Sequence, residues 1–307
     1  MRQIFTVLFL LVSQTLLANK IDSIQTDQEA LSFLKTLDKR FTSEKYRQVQ
    51  ILPTDSIRQK LSCNGIFDKW QIKNWEKADF NNDGRTDIII TVYWYNFDVF
   101  AVIDKGNNTF ELLQLSKDVF QNCELAKPFK IGKQQLLVFY RKKREYVKNN
   151  KNLFETKEIG QIDTLIYKFG NFVELNKNPS HYKIDSIQFR TSGCLGTCPI
   201  YKIEIDKNRN AQYTAIVYNP KQGKFESVLT KESYNKVIQL INYLSIDGLK
   251  DDYQVTWTDD QTAWLRIKFS DGTVKEIRDY GLIGTFGLSS LYQLFSELRE
   301  NQDWKQY

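Results

Sequence analysis

A Cys-x-Gly-x-Cys-Pro loop between two strand-like runs constrains this chain more than any other feature of its 307 residues. Three residues separate Cys194 from Cys198, and Gly196 between them gives the backbone the freedom to curl until the two sulfurs meet. Pro199 disfavours a helical conformation at Cys198, which suits the start of a strand. We therefore predict a structural disulfide between Cys194 and Cys198, in a loop shaped by Gly196 and Pro199.

Two other roles for this cysteine pair stay open. A redox couple needs a thiol of lowered pKa, and the nearest cations along the chain are Arg190 and Lys202. The spacing is also similar to the copper loop of the copper chaperones related to thioredoxin. Thiolates select copper(I), so a copper site is the second alternative. That family adds a histidine well downstream, whereas the sole histidine here, His181, lies upstream. A disulfide clamp is the first interpretation, and redox and copper chemistry are the alternatives.

The first 18 residues have the pattern of a cleaved secretory signal peptide, with a basic residue followed by an apolar run too short to span a bilayer. The first cysteine, Cys63, lies far from the cleavage site, so we expect no lipid anchor there. The sequence thus predicts a periplasmic or secreted protein without a transmembrane segment. Four cysteines in an oxidising compartment favour disulfides, and Cys63 with Cys123 forms the second candidate pair.

Charge and motifs narrow the function classes. The chain has 43 basic and 37 acidic residues, a net charge of +6, which is mild. The densest basic run, residues 141–144, leads into a polar stretch at 142–157 that we interpret as a solvated loop, and no nucleic-acid-binding motif accompanies it. The chain has no Gly-x-Ser-x-Gly, His-Glu-x-x-His or phosphate-loop motif. These observations favour a non-enzymatic binding or structural protein, with a protein or the cell envelope as partner.

An acidic loop at residues 79–87 carries side-chain oxygens at every second position, with a glycine after the third. Alternate residues of a tight loop can converge on one cation, and calcium takes six to eight oxygen ligands. The predicted ligands are Asp79, Asn81, Asp83 and Asp87, with Arg85 adding its backbone carbonyl. The loop resembles the Asp-x-Asn-x-Asp-Gly-x-x-Asp loop of integrin-type propeller repeats, although a single copy cannot build a propeller. An Asx-rich turn that bonds its own backbone is the alternative.

The apolar pattern predicts an α+β fold of two domains, 19–178 and 179–307, each a mainly antiparallel sheet with a few helices. The first domain begins with a helix in residues 26–40 that we expect Asp27 to cap. Strands are then predicted at 88–95, 99–103, 110–115, 136–140 and 165–169. The second domain has predicted strands at 184–189, 200–205, 213–218, 225–229, 263–269 and 274–277, and helices at 234–244 and 288–298.

Residues 184–299 resemble the bacterial family catalogued as domain of unknown function 6438. Its hallmark is Cys-x-Gly-x-Cys-Pro-x-Tyr between two strands, found here from Cys194 to Tyr201. The later Tyr253 and the Asp271-Gly272 turn also fall where that family places similar residues. The resemblance implies a shared fold for this part of the chain and Tyr201 as a loop-shaping residue. It implies no activity, because none is established for the family.

Overall fold

The computed structural model describes residues 19–43, 45, 47–61, 63–118, 123–148 and 153–307. Within these ranges the chain forms five α-helices and sixteen strands in mostly antiparallel sheets, so the predicted α+β class is confirmed. The predicted signal peptide, residues 1–18, lies outside the described residues. Among the described helices, none combines the length and apolar character needed to cross a membrane.

The helices are α1 (Asp27–Leu37), α2 (Thr54–Lys60), α3 (Ile66–Lys69), α4 (Lys231–Leu244) and α5 (Phe286–Asn301). The strands of the N-terminal half are β1 (Trp75–Ala78), β2 (Asp87–Tyr93), β3 (Phe97–Gly106), β4 (Thr109–Gln114), β5 (Glu124–Ile131), β6 (Gln134–Lys148), β7 (Phe154–Lys168) and β8 (Asn171–Glu174). Those of the C-terminal half are β9 (Ile184–Thr191), β10 (Ile200–Asp206), β11 (Asn210–Val217), β12 (Gly223–Val228), β13 (Asp252–Gln254), β14 (Thr262–Phe269), β15 (Val274–Tyr280) and β16 (Lys305–Gln306).

The cap of helix α1 is Thr26, one residue before the Asp27 that we predicted. Thr26 has an extended backbone and accepts a hydrogen bond from the Glu29 amide, while the Glu29 carboxylate accepts one from the Thr26 amide at 3.0 Å. This capping box satisfies two backbone donors that a helix start leaves unpaired. The carboxylate of Asp27 instead accepts from the side chains of Asn74 and Trp75, at 2.8 and 2.9 Å. Asp27 therefore ties α1 to the first sheet rather than capping it.

The N-terminal half contains two four-stranded antiparallel meanders, β1-β2-β3-β4 and β5-β6-β7-β8. Their facing sides share one apolar core that includes Phe80, Ile103, Phe139 and Phe172. The solvated loop that we predicted over residues 142–157 is wrong, because most of it belongs to the paired ends of β6 and β7.

The physical reason lies in the backbone ladder. Strands β6 and β7 stay paired from Leu137 opposite Leu165 out to Lys148 opposite Phe154. Opposite charges also face each other across this ribbon, with Lys142 Nζ 3.4 Å from a carboxylate oxygen of Glu158. Backbone hydrogen bonds and cross-strand pairs of this kind stabilise a polar ribbon without burial of a full apolar face.

The C-terminal half is one eight-stranded sheet in the order β13-β15-β14-β9-β10-β11-β12-β16, in which only β13 and β15 are parallel. Helices α4 and α5 pack against each other and share the apolar core of this sheet. Phe189 of β9 stacks on Phe295 of α5 with ring centroids 4.6 Å apart. This pair anchors α5 over the middle of the sheet.

The two halves contact each other around the start of α5. Glu174, the last residue of β8, accepts hydrogen bonds from the amides of Phe286 and Gly287, at 2.6 and 2.9 Å. The Phe286 ring packs edge-on against the Phe139 ring inside the N-terminal core, with ring centroids 5.2 Å apart. The predicted boundary between residues 178 and 179 falls in the connection between β8 and β9, and independent folding of the two sides stays a prediction.

Candidate functional site

The cysteine loop joins β9 to β10 and is closed by a Cys194–Cys198 disulfide, with Cα atoms 5.7 Å apart. A second disulfide joins Cys63 to Cys123, and the described chain has no free cysteine. Gly196 has a φ of +147°, a conformation that side chains rarely adopt, and it completes the curl. The expected disulfide bonds are therefore present.

Hydrogen bonds to the connection that precedes β14 hold this loop in place. The Leu195 amide donates to the Asp259 carbonyl at 2.9 Å. The side-chain amide of Gln261 donates to the carbonyls of Ser192 and Pro199, each at 2.9 Å. Leu195 at the tip remains 86% exposed. The loop is thus a fixed protrusion with an apolar tip.

The residues that could tune the thiol chemistry have other partners. Arg190 lies over the ring of Trp264, 4.1 Å from its centroid, and Lys202 Nζ is 2.7 Å from a carboxylate oxygen of Glu204. Tyr201 is buried in the C-terminal core, where burial raises the pKa of its hydroxyl far above the ordinary value. Arg190 and Lys202, the cations nearest to the two cysteines along the chain, thus contact other side chains.

The acidic loop connects β1 to β2 and satisfies many of its own backbone amides. Asp79 accepts from the amides of Asp83 and Gly84 at 3.1 and 2.9 Å, and Asp83 accepts from the Arg85 amide at 2.9 Å. Asn81 also accepts from the Asp83 amide at 3.1 Å. This is the hydrogen bonding of an Asx-rich turn.

Asp87 is the buried member of the loop and accepts from the amides of Phe80 and Asp104, at 2.7 and 2.8 Å. Burial, followed by the negative charges of Asp79 and Asp83, raises the pKa of Asp87 to about 7. The Arg85 guanidinium bonds Asp83 and lies 3.6 Å from Asp104 Oδ1, so it supplies one positive charge to the group. Excess negative charge of this kind suits a cation.

The oxygen donors are of the type that calcium prefers, but they do not surround one common point. No group of three or more His, Cys, Asp or Glu side chains is arranged to hold a metal ion within the described residues. To bind the ion, Asp79 and Asp83 would have to give up the hydrogen bonds that they accept from backbone amides. Calcium in this loop therefore stays a prediction, with Asp79, Asn81, Asp83, Asp87 and the Arg85 carbonyl as its ligands.

A third feature, which the sequence did not reveal, is a cleft at the junction of the two halves. Its volume is about 180 Å³, and residues 141–146 of β6 form one wall while residues 250 and 252–257 around β13 form the other. We call it the junction cleft. Two polar contacts cross it: Tyr146 donates to the Thr256 carbonyl at 3.2 Å, and Lys250 Nζ is 3.7 Å from a carboxylate oxygen of Glu145.

Arg141 lines the junction cleft and is only 1% exposed. Its Nε lies 3.4 Å from Asp163 Oδ2, close enough for an ion pair but without the geometry of a hydrogen bond. None of its three guanidinium nitrogens has a hydrogen-bond partner among the described residues. The pattern that could have revealed it is the alternation of Leu137, Phe139 and Arg141, which places all three on the inner side of β6.

Several ionisable groups near Arg141 are perturbed. Burial, and then the charge of Arg141, lower the pKa of Lys117, and the same causes lower the pKa of Lys143 to about 8. Burial raises the pKa of Glu124 to about 7. Lys117 Nζ donates to Ser289 Oγ at 2.7 Å and to the Thr285 carbonyl at 3.0 Å, so this group bridges the two halves. Perturbed groups gathered beside a cleft mark a candidate functional site.

Comparison with known proteins agrees with the resemblance seen in the sequence. Residues 185–299 match the family described as Domain of unknown function (DUF6438). The match runs from β9 into α5 and includes the cysteine loop and the C-terminal wall of the junction cleft. Searches of curated proteins and of solved structures found no match. The other wall of the cleft, β6, lies outside the matched segment.

Proposed function

We propose that this chain is an exported, non-enzymatic binding protein that holds a small ligand in the junction cleft. The observation that carries the proposal is Arg141, a buried guanidinium without hydrogen-bond partners among the described residues, at the wall of a cleft built by both halves. A buried polar group that lacks its hydrogen bonds costs free energy, and a bound ligand can supply them. Ligand sites also occur preferentially at domain interfaces.

The cysteine loop has a structural role in this proposal. Its disulfide and its hydrogen bonds to Asp259 and Gln261 fix a protrusion whose Leu195 tip is exposed. This tip is the surface that we assign to the expected protein or cell-envelope partner. The engagement of Arg190 with Trp264 supports a clamp over the redox and copper alternatives, because a reactive thiolate needs nearby positive charge.

The remaining features complete the proposal. The signal-peptide pattern and the two disulfides support export to the periplasm or beyond. The raised pKa of Asp87 supports calcium in the acidic loop. His181, the sole histidine, is exposed in the connection between the halves, which supports a binding role rather than acid–base catalysis by an imidazole.

Hydrogen–deuterium exchange on the full chain tests the proposal. The mature protein would be screened by thermal shift against small anionic, neutral and cationic metabolites, and the exchange of its amides measured with each stabilising compound. We expect protection of residues 141–146 and 250–257 together, because these segments form the two walls. A stabilising compound that protects neither segment, or a screen without any stabilising compound, would contradict the proposal. Amino-terminal sequencing of exported protein, expected to begin at Asn19, tests the export step.

A further inference from the structure

We propose that the ligand of the junction cleft is a small molecule bearing an oxyanion, a carboxylate or a phosphate, that Arg141 binds through two parallel hydrogen bonds. This inference rests on the proposed function and adds the chemical class of the ligand. Three observations carry it: the unused donors of Arg141, the charges around them, and the size of the cleft.

The first observation is the set of guanidinium N–H donors of Arg141. A guanidinium presents five N–H groups in a planar fork and keeps its charge at any relevant pH. Asp163 Oδ2 lies 3.4 Å from Nε of Arg141, and the guanidinium carbon lies 5.3 Å from the centroid of the Phe286 ring. Neither Nη1 nor Nη2 has a hydrogen-bond partner among the described residues. The fork matches two oxygens of a carboxylate or phosphate group, and such paired bonds are among the strongest that proteins make. A neutral ligand could accept these bonds but would add no negative charge beside the guanidinium.

The surrounding charges favour an anion. After burial, the charge of Arg141 is the next cause that lowers the pKa of Lys117 and of Lys143, so both lysines lie within electrostatic reach of Arg141. Three acidic groups lie near these bases: Asp163 forms the ion pair with Arg141, Asp118 lines the cleft, and Glu124 has a pKa of about 7 and is only partly ionised at neutral pH. Arg141 and Lys143 both line the cleft, so both positive charges would act on an anion bound there.

The opening of the cleft has compensated charges. Lys250 pairs with Glu145, and Asp252 pairs with Arg278 at 2.8 Å. An anion that enters meets little net charge at the rim and the basic groups further in. The volume of about 180 Å³ exceeds the roughly 10–15 Å³ that one water needs and is below the roughly 300 Å³ of sites for drug-sized ligands. The ligand is thus a small organic or inorganic anion.

Calorimetry with defined probes tests the inference on the full mature chain. Inorganic phosphate and citrate represent the two oxyanion classes, and glucose is a neutral control. We expect saturable binding of phosphate, citrate or both, and no heat from glucose; the stronger of the two probes identifies the class.

Variants test whether the anion binds in the cleft. Lys143→Gln should weaken binding about tenfold, the loss expected for one charge-assisted contact. Arg141→Lys keeps a positive charge but loses the fork, and it should weaken binding at least as much. The matched control is Lys221→Gln, which removes an exposed lysine near β12, close to the opposite edge of the C-terminal sheet, and should leave the affinity unchanged. Because Arg141 is buried and its variant can fail to fold, the Lys143 variant decides the result.

The outcomes separate this inference from the proposed function. Absence of binding by both anions, or equal affinity in Lys143→Gln and the parent chain, overturns the oxyanion assignment. If exchange then shows a neutral or cationic compound protecting both walls of the cleft, the proposed binding function stands without it. If no compound protects the walls, both fail.

Discussion

The two disulfides should stabilise this protein to different degrees, because they close rings of very different length. The sequence separation is 4 residues for Cys194–Cys198 and 60 for Cys63–Cys123. In the chain-entropy model, closing the short ring stabilises by about 2 kcal/mol and closing the long ring by about 4 kcal/mol. Replacing each pair by alanine should therefore cost about twice as much for the long ring. Alanine avoids placing a hydroxyl at Cys63, which is only 2% exposed.

Urea denaturation of the two double-alanine variants and the parent chain measures this difference. Cys63 also packs in an apolar cluster with Leu125 and Tyr140, so loss of its sulfur adds to the cost of opening the long ring. A variant without all four cysteines should lose about 6 kcal/mol if the two rings act independently. A short-ring variant that loses as much stability as the long-ring variant would refute the entropic reasoning. It would indicate that Cys194–Cys198 holds the loop by native-state contacts.

Four further predictions concern the acidic loop and the contact between the halves. Because the pKa of Asp87 is raised to about 7 in the folded chain, its contribution to stability should fall as pH rises from about 4 to about 7; Asp87→Asn should flatten this part of a urea-midpoint curve measured in chelator. Calcium should raise the melting temperature of the parent chain with an affinity on the order of 0.1 to 1 mM, and equal melting temperatures in calcium and chelator would remove the metal. Glu174→Ala should cost about 2 kcal/mol in urea, because it leaves the amides of Phe286 and Gly287 unpaired, and Glu174→Gln should cost less; equal losses would contradict this account. The isolated segment 180–307 should show a folded circular-dichroism spectrum but a lower melting temperature than the whole chain, since it exposes Phe286; an unfolded segment would refute the predicted boundary.

Local patterns were sufficient to predict most of the C-terminal half. Alternating apolar residues such as Ile203 and Ile205 have their side chains in the core, and the strand that they predicted, 200–205, is β10 to within one residue. The predicted helices at 234–244 and 288–298 correspond to α4 and α5. Each also begins with a threonine cap, Thr230 and Thr285, that accepts an amide hydrogen bond. In this half, the residues that the apolar spacing predicts to face the core are the ones that are buried.

The junction cleft was not predictable in the same way. From composition, a charged residue on the inner side of a strand looks like one on the outer side, and the polar residues that follow Arg141 favour a solvated loop. The C-terminal wall has an even weaker signal, because β13 has three residues, Asp252–Gln254, and forms by pairing with β15. Such a strand depends on a tertiary partner rather than on its own propensity. Sites assembled from two distant segments are therefore the part that a single sequence conceals.

The start of α5 limits how the two halves can move. Gly287 lies so close to its surroundings that a Cβ there would overlap Leu244 of α4 and lie 3.2 Å from Glu174 Oε2 of β8. The first turn of α5 also contacts the N-terminal half through Phe286 and Ser289, so a shear motion, in which packed elements slide past each other, would break several contacts at once. We therefore expect any change in the width of the junction cleft to leave the contact at the start of α5 closed.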